Sequence, residues 1–422
     1  MDMHIVFVTT ELASANTVAG GLATFTANMA HIFKENGHRV SIILASTKEI
    51  VPNIEDGIHL YPFHVPMKTW KRMDAAAGML SFFIKESRDR LRRAIIVKYK
   101  SKVTQKIVHS IHKKNPIDII HYSHHNPINK KCIRNIPYIV RLSSLRNIWT
   151  EANMPECNLN YAYNKSSLFS RDRIEEISIK KARYVVAPSH LLADIATNNL
   201  GVKVTVIESP FVLESQDWNY SCLEQYGLKE KKYIIHYGGQ LRYFKGTHTV
   251  AKLANELLYK YPDLYLVLAG KCEDMRDGAG NVVKAHELVK QGAGEYAERV
   301  IYVGQLTREK LYPLIQYAEV CLLPSRIENL ANACIEAMAM GKMVVATDGA
   351  SYEQLIDNRI SGFLCERDNP GSFLRGIEEA LSMSEEEKSA MGNKAIEVTQ
   401  RLRPDKIYEK YLEFYEKVIR DW

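Results

Sequence analysis

The feature that most constrains this chain is an alternation of strands and helices that opens it and then starts again at Tyr233. "HIVFVTT" (residues 4–10) is an apolar run of strand length. The loop "ELASANTVAGG" leads from it to a helical "LATFTANMAHIFKENG" and a second strand, "HRVSIILAS". Buried strands that alternate with helices build a parallel sheet. "IDIIHYS", "IPYIVRLSS" and "ARYVVAPS" add strands, and "TVIESPFVL" (205–213) leaves this half. From "YIIHYGGQL" the pattern repeats, through the helix "GTHTVAKLANELLYKYPD" and the strands "LYLVLAG", "RVIYVGQL", "VCLLPS" and "KMVVATD". The expected fold is α/β, with two Rossmann-like doubly wound domains, 1–212 and 213–402, facing across a cleft. Ile407, Tyr411, Phe414, Val418 and Trp422 recur at helical spacing, so a last helix, 403–422, is expected to pack back on the first domain.

A chain of 422 residues exceeds one ordinary core. Its 46% hydrophobic and 25% charged residues suit a globular protein. It has no apolar run near the roughly 18 residues of a membrane span. "MDMHIVFVTT" lacks the basic region and cleavage site of a secretory signal, so a cytoplasmic setting is expected. The seven cysteines are scattered, and none is spaced C-x-x-C, which argues against a disulfide framework or a cysteine metal cluster. Charge is uneven. Between Met67 and Lys114 stand 14 Lys or Arg and three acids, a local +11, so the total of +7 leaves −4 for the rest.

In open parallel sheets ligands bind beyond the carboxyl ends of the strands, so the loops there are the candidate sites. Gly20 and Gly21 close the first such loop before a helix and could turn backbone N–H groups to an anion. Plain helix-entry glycines are the bland alternative, since G-x-G-x-x-G and G-x-x-x-x-G-K-[ST] are both absent. In "GGQLRYFKG" (238–246), Arg242 and Lys245 stand among glycines at a strand-to-helix turn, a place that suits a diphosphate, with solvated loop charge as the bland alternative. "PSRIENLANACIEAMAMGK" (324–342) sets Glu328 before a helix expected from about Leu330 and Glu336 inside it. No basic residue lies three or four positions from Glu336, and a carboxylate in an apolar run is costly without a partner. Eight helical residues advance about 12 Å, too far for an aspartic dyad but suited to hydroxyls at two places on an elongated ligand such as a nucleotide-sugar.

These residues carry a resemblance. "PSRIENLANACIEAMAMGKMVVATDGASYEQLIDNRISGFL" resembles the signature of glycosyltransferase family four, of the two-domain GT-B fold, and "YGGQLRYFKG" resembles that family's Gly-Arg-Leu…Lys-Gly loop. "VVAPSHLLAD" and "PIDIIHYSH" are similar to its first-domain landmarks. The resemblance is specific in 233–365 and loose in 1–210. It implies that Lys245 binds the donor diphosphate, with Gly239, Gln240 and Arg242 beside it. It also implies that Glu328 binds hydroxyls of the transferred sugar and Glu336 the nucleotide ribose. Backbone N–H groups of Asn329, Leu330 and Ala331 would meet sugar and phosphates, while Gly20 and Gly21 border the acceptor side.

Three departures matter. Gln240 stands where the family has a second diphosphate-binding Arg, and Arg242 is the candidate substitute. Asn329 and Ala331 replace a Gly-Phe-Gly style of sugar loop. Ser143 and Ser144 stand where many members carry a His, with His121, His124 and His125 as nearby alternatives.

The resemblance implies a retaining, metal-independent hexosyl- or related glycosyltransferase. It would move sugar from a nucleoside-diphosphate sugar, UDP or GDP, to a saccharide or lipid-linked acceptor in bacterial-type surface polysaccharide or glycoconjugate synthesis. No cofactor, metal or nucleic acid is expected. The basic run 67–114 interleaves apolar residues, as an interfacial helix on an anionic membrane does, and a solvated helix with a core side is the alternative. Another GT-B enzyme, such as an epimerase, or a non-catalytic nucleotide-sugar-binding protein are the competing functions.

Overall fold

The central strand segments are buried on both faces, as strands covered by helices must be. All six residues of the first one, β1 (His4–Thr9), are buried. The structure, a computed structural model, describes residues 2–13, 20–45, 57–83, 87–125, 135–156, 159, 161, 171–213 and 218–422. The chain divides into two units: Met1–Asn147, Tyr161–Pro210 and Pro404–Trp422 form one, Ile148–Asn160 and Phe211–Arg403 the other.

The first unit runs β1, α1 (Gly21–Glu35), β2 (Arg39–Ala45), β3 (Ile58–Phe63), α2 (Met67–Phe83), α3 (Arg88–Lys114) and β4 (Ile119–Ser123). It continues with β5 (Tyr138–Arg141). A short helix, α4 (Arg146–Ala152), leads across into the second unit. Then come α5 (Arg171–Lys181), β6 (Val185–Ala187), α6 (His190–Leu200) and β7 (Val204–Val206). The strands form one parallel sheet in the order β3-β2-β1-β4-β5-β6-β7. Strand order reverses between β1 and β4, so the loops after these two strands flank the switch point where such sheets bind ligands.

The second unit begins with α7 (Ser221–Gln225), β8 (Lys232–Leu241), α8 (Thr247–Lys260) and β9 (Leu264–Cys272). A hairpin of β10 (Asp274–Arg276) and β11 (Val282–Lys284) follows, then α9 (Ala285–Ala293), β12 (Val300–Gly304) and α10 (Arg308–Tyr317). It ends with β13 (Val320–Leu323), α11 (Asn332–Ala339), β14 (Val344–Thr347), β15 (Phe363–Cys365), α12 (Pro370–Ser382) and α13 (Glu385–Thr399). Its sheet is parallel in the order β12-β9-β8-β13-β14-β15, with the switch point between β8 and β13. Of the two segments singled out in the sequence, 324–331 follows β13, whereas 238–246 begins inside β8, whose Gly238–Leu241 are still strand, and only 242–246 form the turn after it.

The last helix, α14 (Pro404–Arg420), belongs to the first unit. Its Ile407, Tyr411, Phe414, Tyr415 and Val418 pack with Phe25, Met29 and Phe33 of α1 and with Phe7 of β1. The basic run is two helices rather than one. Ser87 caps α3 by accepting from the Arg90 N–H, and Asp74 of α2 pairs with Arg88 and Arg92 of α3. α3 buries Leu91, Thr104, Gln105, Val108 and Ile111, while α2 buries Ala77 alone among its residues. Met79 is 69%, Phe82 90% and Phe83 83% exposed at the end of α2. Among the described residues no helix is long and apolar enough to cross a membrane. Cys222, Cys272, Cys321, Cys334 and Cys365 are free thiols.

Candidate functional site

The turn after β8 is built around Gly246, whose φ of +73° few side-chain-bearing residues adopt. A Cβ there would fall 1.8 Å from the Pro324 carbonyl oxygen, so the glycine lets the turn lie directly on the loop after β13. The Arg326 N–H donates to the Phe244 carbonyl (2.8 Å) and fastens the two loops together. That contact sets Lys245 opposite Glu328: Nζ lies 2.5 Å from Oε1, with both side chains largely buried. Ser325 Oγ donates to the same carboxylate oxygen at 2.7 Å, and Tyr352 OH donates to Ser325 Oγ at 3.1 Å. The Glu328 N–H is held by the Ala350 carbonyl at 3.0 Å, so backbone and side chain are both fixed.

Arg242 and Gln240, the pair in question in the loop, touch. Arg242 Nη1 donates to Gln240 Oε1 at 2.7 Å, and the guanidinium lies 5.2 Å from the Phe244 ring centre. The buried Nε of Arg242 has no hydrogen-bond partner among the described residues. A guanidinium N–H left this way is costly in a closed interior.

Two expectations about Glu336 are corrected. Its carboxylate is not unpartnered: Tyr312 OH donates to Oε1 at 3.3 Å and Arg308 Nε stands 3.5 Å from it, both from α10. These partners lie 24 and 28 residues back in the chain, beyond the i±4 window read in the sequence. Burial nonetheless pushes its carboxyl above the ordinary value, Arg308 and Tyr312 acting against that. The helix begins at Asn332, not near Leu330, because Ala331 is still extended at ψ 92°. Glu328 thus lies in the loop, and a helical advance does not measure its separation from Glu336. Asn329, Leu330 and Ala331 form the approach to α11, with the Asn329 carbonyl accepting from Ser351 Oγ at 2.5 Å.

One organising residue was passed over in the sequence. Arg326, 3% exposed, pairs through Nε with Asp368 at 2.9 Å. Its remaining N–H groups donate to the carbonyls of Ala152 (3.2 Å), Met154 (2.5 Å) and Pro155 (3.1 Å). It pins residues 152–155 to the second unit. His248 completes the cluster, with Nε2 2.7 Å from Asp368 Oδ1. Arg326 stands inside the quoted motif, but Asp368 is 42 positions away and the three carbonyls more than 170, so none leaves a local signal.

The first unit's candidates separate. Gly20 and Gly21 are exposed at the start of α1, Gly20 in the N-cap position with φ −73°. Residues 14–19 of that loop lie outside the described residues. His121, expected near the reaction centre, is instead a core residue. It lies mid-strand in β4, hydrogen-bonded to Tyr415 OH at 2.6 Å and packed against Phe7, Phe25 and Tyr411. Burial holds its imidazole well below the ordinary value. Ser143, after β5, reaches His124 after β4: its N–H donates to Nδ1 at 3.2 Å.

Two parallel-sheet α/β units, with the charged loops at a switch point, define the GT-B fold of glycosyltransferases. Solved structures agree: a sucrose-phosphate synthase from Thermosynechococcus elongatus superposes with a TM-score of 0.73 at 16% identity, over all of both chains. HepE from Anabaena, a structure in complex with UDP and glucose, gives 0.64 at 15% identity over 98% of this chain and all of that one. Residues 223–398 match the family model described as glycosyl transferases group 1, and the chain carries a domain of that family. Beyond that domain, the chain is similar to the uncharacterized glycosyltransferase MJ1607 of Methanocaldococcus jannaschii, with 24% identity over 90% of this chain and 89% of the relative.

Proposed function

We propose that the chain is a retaining glycosyltransferase that moves a sugar from a nucleoside-diphosphate sugar, UDP or GDP, to a saccharide or lipid-linked acceptor. Surface polysaccharide or glycoconjugate synthesis is the expected setting. The observation that carries the reading is the Lys245–Glu328 pair at the β8–β13 switch point. It holds a cation and an acceptor of hydroxyl hydrogen bonds side by side, the combination that a sugar esterified to a diphosphate requires.

In this reading Lys245 and Arg242 face the diphosphate. Glu328 accepts from hydroxyls of the sugar, and Glu336, with Arg308 and Tyr312 behind it, takes the ribose diol. Backbone N–H groups of Asn329, Leu330 and Ala331 and the positive end of α11 add to the phosphate field. The bond between the anomeric carbon and the diphosphate oxygen breaks as the acceptor oxygen bonds on the same face. The departing phosphate takes the acceptor's proton, so no protein nucleophile is required. Charge on the leaving group grows in the transition state, and fixed cations beside it lower the barrier without a metal. His121, enclosed by aromatic rings, is not the base. Contact with an anionic membrane through α2 and α3 belongs to the same reading, because Phe82 and Phe83 project beside a cationic helix.

The test is donor hydrolysis and calorimetric binding across UDP-, GDP- and dTDP-sugars. UDP-sugars come first, since the similar HepE structure holds UDP and glucose. Release of one nucleoside diphosphate is expected, with retained anomeric configuration in the sugar. Neither binding nor release with any donor would defeat the proposal; binding without turnover would make the chain a nucleotide-sugar-binding protein.

A further inference from the structure

His124 and His125 follow β4 directly, at the β1–β4 switch point of the first unit, where open parallel sheets receive ligands. Glu175 of α5 meets them. His124 Nε2 lies 2.8 Å from Glu175 Oε1, and the two imidazole rings stand 3.8 Å apart between centres, inclined at 43°. One nitrogen from each ring and one Glu175 oxygen all fall within 4.8 Å of one another. His124 and Glu175 are buried and His125 half-buried.

We propose that His124, His125 and Glu175 form a binding site for a divalent first-row transition cation of the zinc, cobalt and manganese kind. Two imidazoles and a carboxylate select these ions over calcium or magnesium, which favour oxygen ligands alone. Donor atoms about 2.1 Å from a shared ion stand roughly 3.4 Å apart, so the side chains need move only a few tenths of an ångström to around one ångström. The surroundings offer His124 Nδ1 both an acceptor and a donor, and so bear on its tautomer. His124 Nδ1 lies 3.3 Å from the Arg141 carbonyl oxygen, and an N–H donated there leaves Nε2 with a lone pair for the ion. Ser143 approaches the same Nδ1 with its N–H at 3.2 Å and its hydroxyl at 3.4 Å. The opposite tautomer, with Nε2–H donating to Glu175, is therefore the ion-free arrangement, and the cation selects between them. Three protein ligands leave the fourth position of a tetrahedral ion for water or an oxygen of a small anionic ligand.

This site lies in the first unit, whereas the diphosphate cations proposed above belong to the second, so the two readings fail separately. The experiment uses the full chain without an affinity tag, stripped with a chelator, dialysed and titrated with cobalt chloride and then zinc chloride. One equivalent of cobalt should bind with the intense visible absorption of a low-coordinate ion, and zinc should displace it. Glu175→Gln and His125→Gln should each weaken binding at least about tenfold. His286→Gln, in the second unit, should leave it unchanged. Should Glu175→Gln not fold, the half-buried His125→Gln carries the test, with circular dichroism to establish its fold. Absence of an absorbing one-to-one complex, or affinity that survives His125→Gln in a folded protein, would overturn the proposal and leave an imidazole–carboxylate pair.

Discussion

Lys245 Nζ and Glu328 Oε1 stand 2.5 Å apart although 83 positions separate them, and the pair bridges the loops after β8 and β13. In the absence of ligand each charge satisfies the other. Under the proposed function an incoming diphosphate would compete for Lys245, and Ser325 would remain to hold Glu328 while its other lone pairs turned to sugar hydroxyls. The site is thus preformed, which limits the ordering cost of binding.

That preformed geometry depends on Arg326. Arg326→Lys keeps one charge but loses the planar fork that reaches Asp368 and three carbonyls at once. Leaving buried acceptors without their donors should cost about 3 kcal/mol. Urea unfolding measures this, and a loss below about 1 kcal/mol would show that the fork is dispensable.

Acid should weaken the second unit through His236. Its Nδ1–H donates to the Leu322 carbonyl and its Nε2 faces Thr247 Oγ1, each at 3.0 Å. Burial lowers the imidazole from 6.5 to about 4. The unfolded chain therefore takes up the proton first, and the associated stability is present above pH 6.5 and lost as pH falls towards 4. The full effect is about 3 kcal/mol. His236→Gln should show a shallower fall in unfolding free energy over that interval. An equally steep fall in the variant would assign the acid sensitivity to the other depressed histidines.

Much of this was legible in the sequence, for identifiable reasons. Most central strands were legible because buried parallel-sheet strands are apolar runs, and "GGQLRYFKG" because glycines and cations together at a strand end are unusual; the part-exposed β3 and the three-residue β10, β11 and β15 were not. What escaped was pairing across the fold. Nothing local to Glu336 indicates Arg308 or Tyr312, and nothing local to Arg326 indicates residues 152–155. His121 has the look of a site residue beside His124 and His125, yet it pairs in register with Phe7 of β1, under α14. Three positions along the chain separate the core imidazole of His121 from that of His124, just beyond the strand end. The start of α11 was misplaced by two residues because Ala331 is a good helix former held extended by its surroundings.

Vesicle co-sedimentation tests the membrane contact. Binding should rise with anionic lipid and fall with salt, each basic residue near the surface adding about 1 kcal/mol. Arg90→Gln with Arg93→Gln is the informative variant, since Arg92 holds α3 to Asp74 of α2. Release from vesicles with nucleotide binding intact is expected. Equal binding to neutral and anionic vesicles, or none to either, would return α2 and α3 to an ordinary solvated surface.

Glu336→Gln should weaken nucleotide affinity about tenfold and leave kcat nearly unchanged, because a ribose contact is equal in ground and transition states. Affinity in the unsubstituted chain should rise as pH passes the elevated carboxyl pKa and the acid ionises. Calorimetry that finds the same nucleotide affinity in the folded variant would remove Glu336 from the ribose.

Single-turnover kinetics of Lys245→Ala with the donor that the unsubstituted chain hydrolyses bears most directly on the central claim. If charge builds on a leaving diphosphate beside Lys245, as proposed, the rate of the chemical step should fall about 10²–10³-fold while donor affinity changes far less. Lys245→Arg should recover part of the loss. A chemical step unaltered in Lys245→Ala would contradict the account and leave the Lys245–Glu328 pair as a structural tie between two loops.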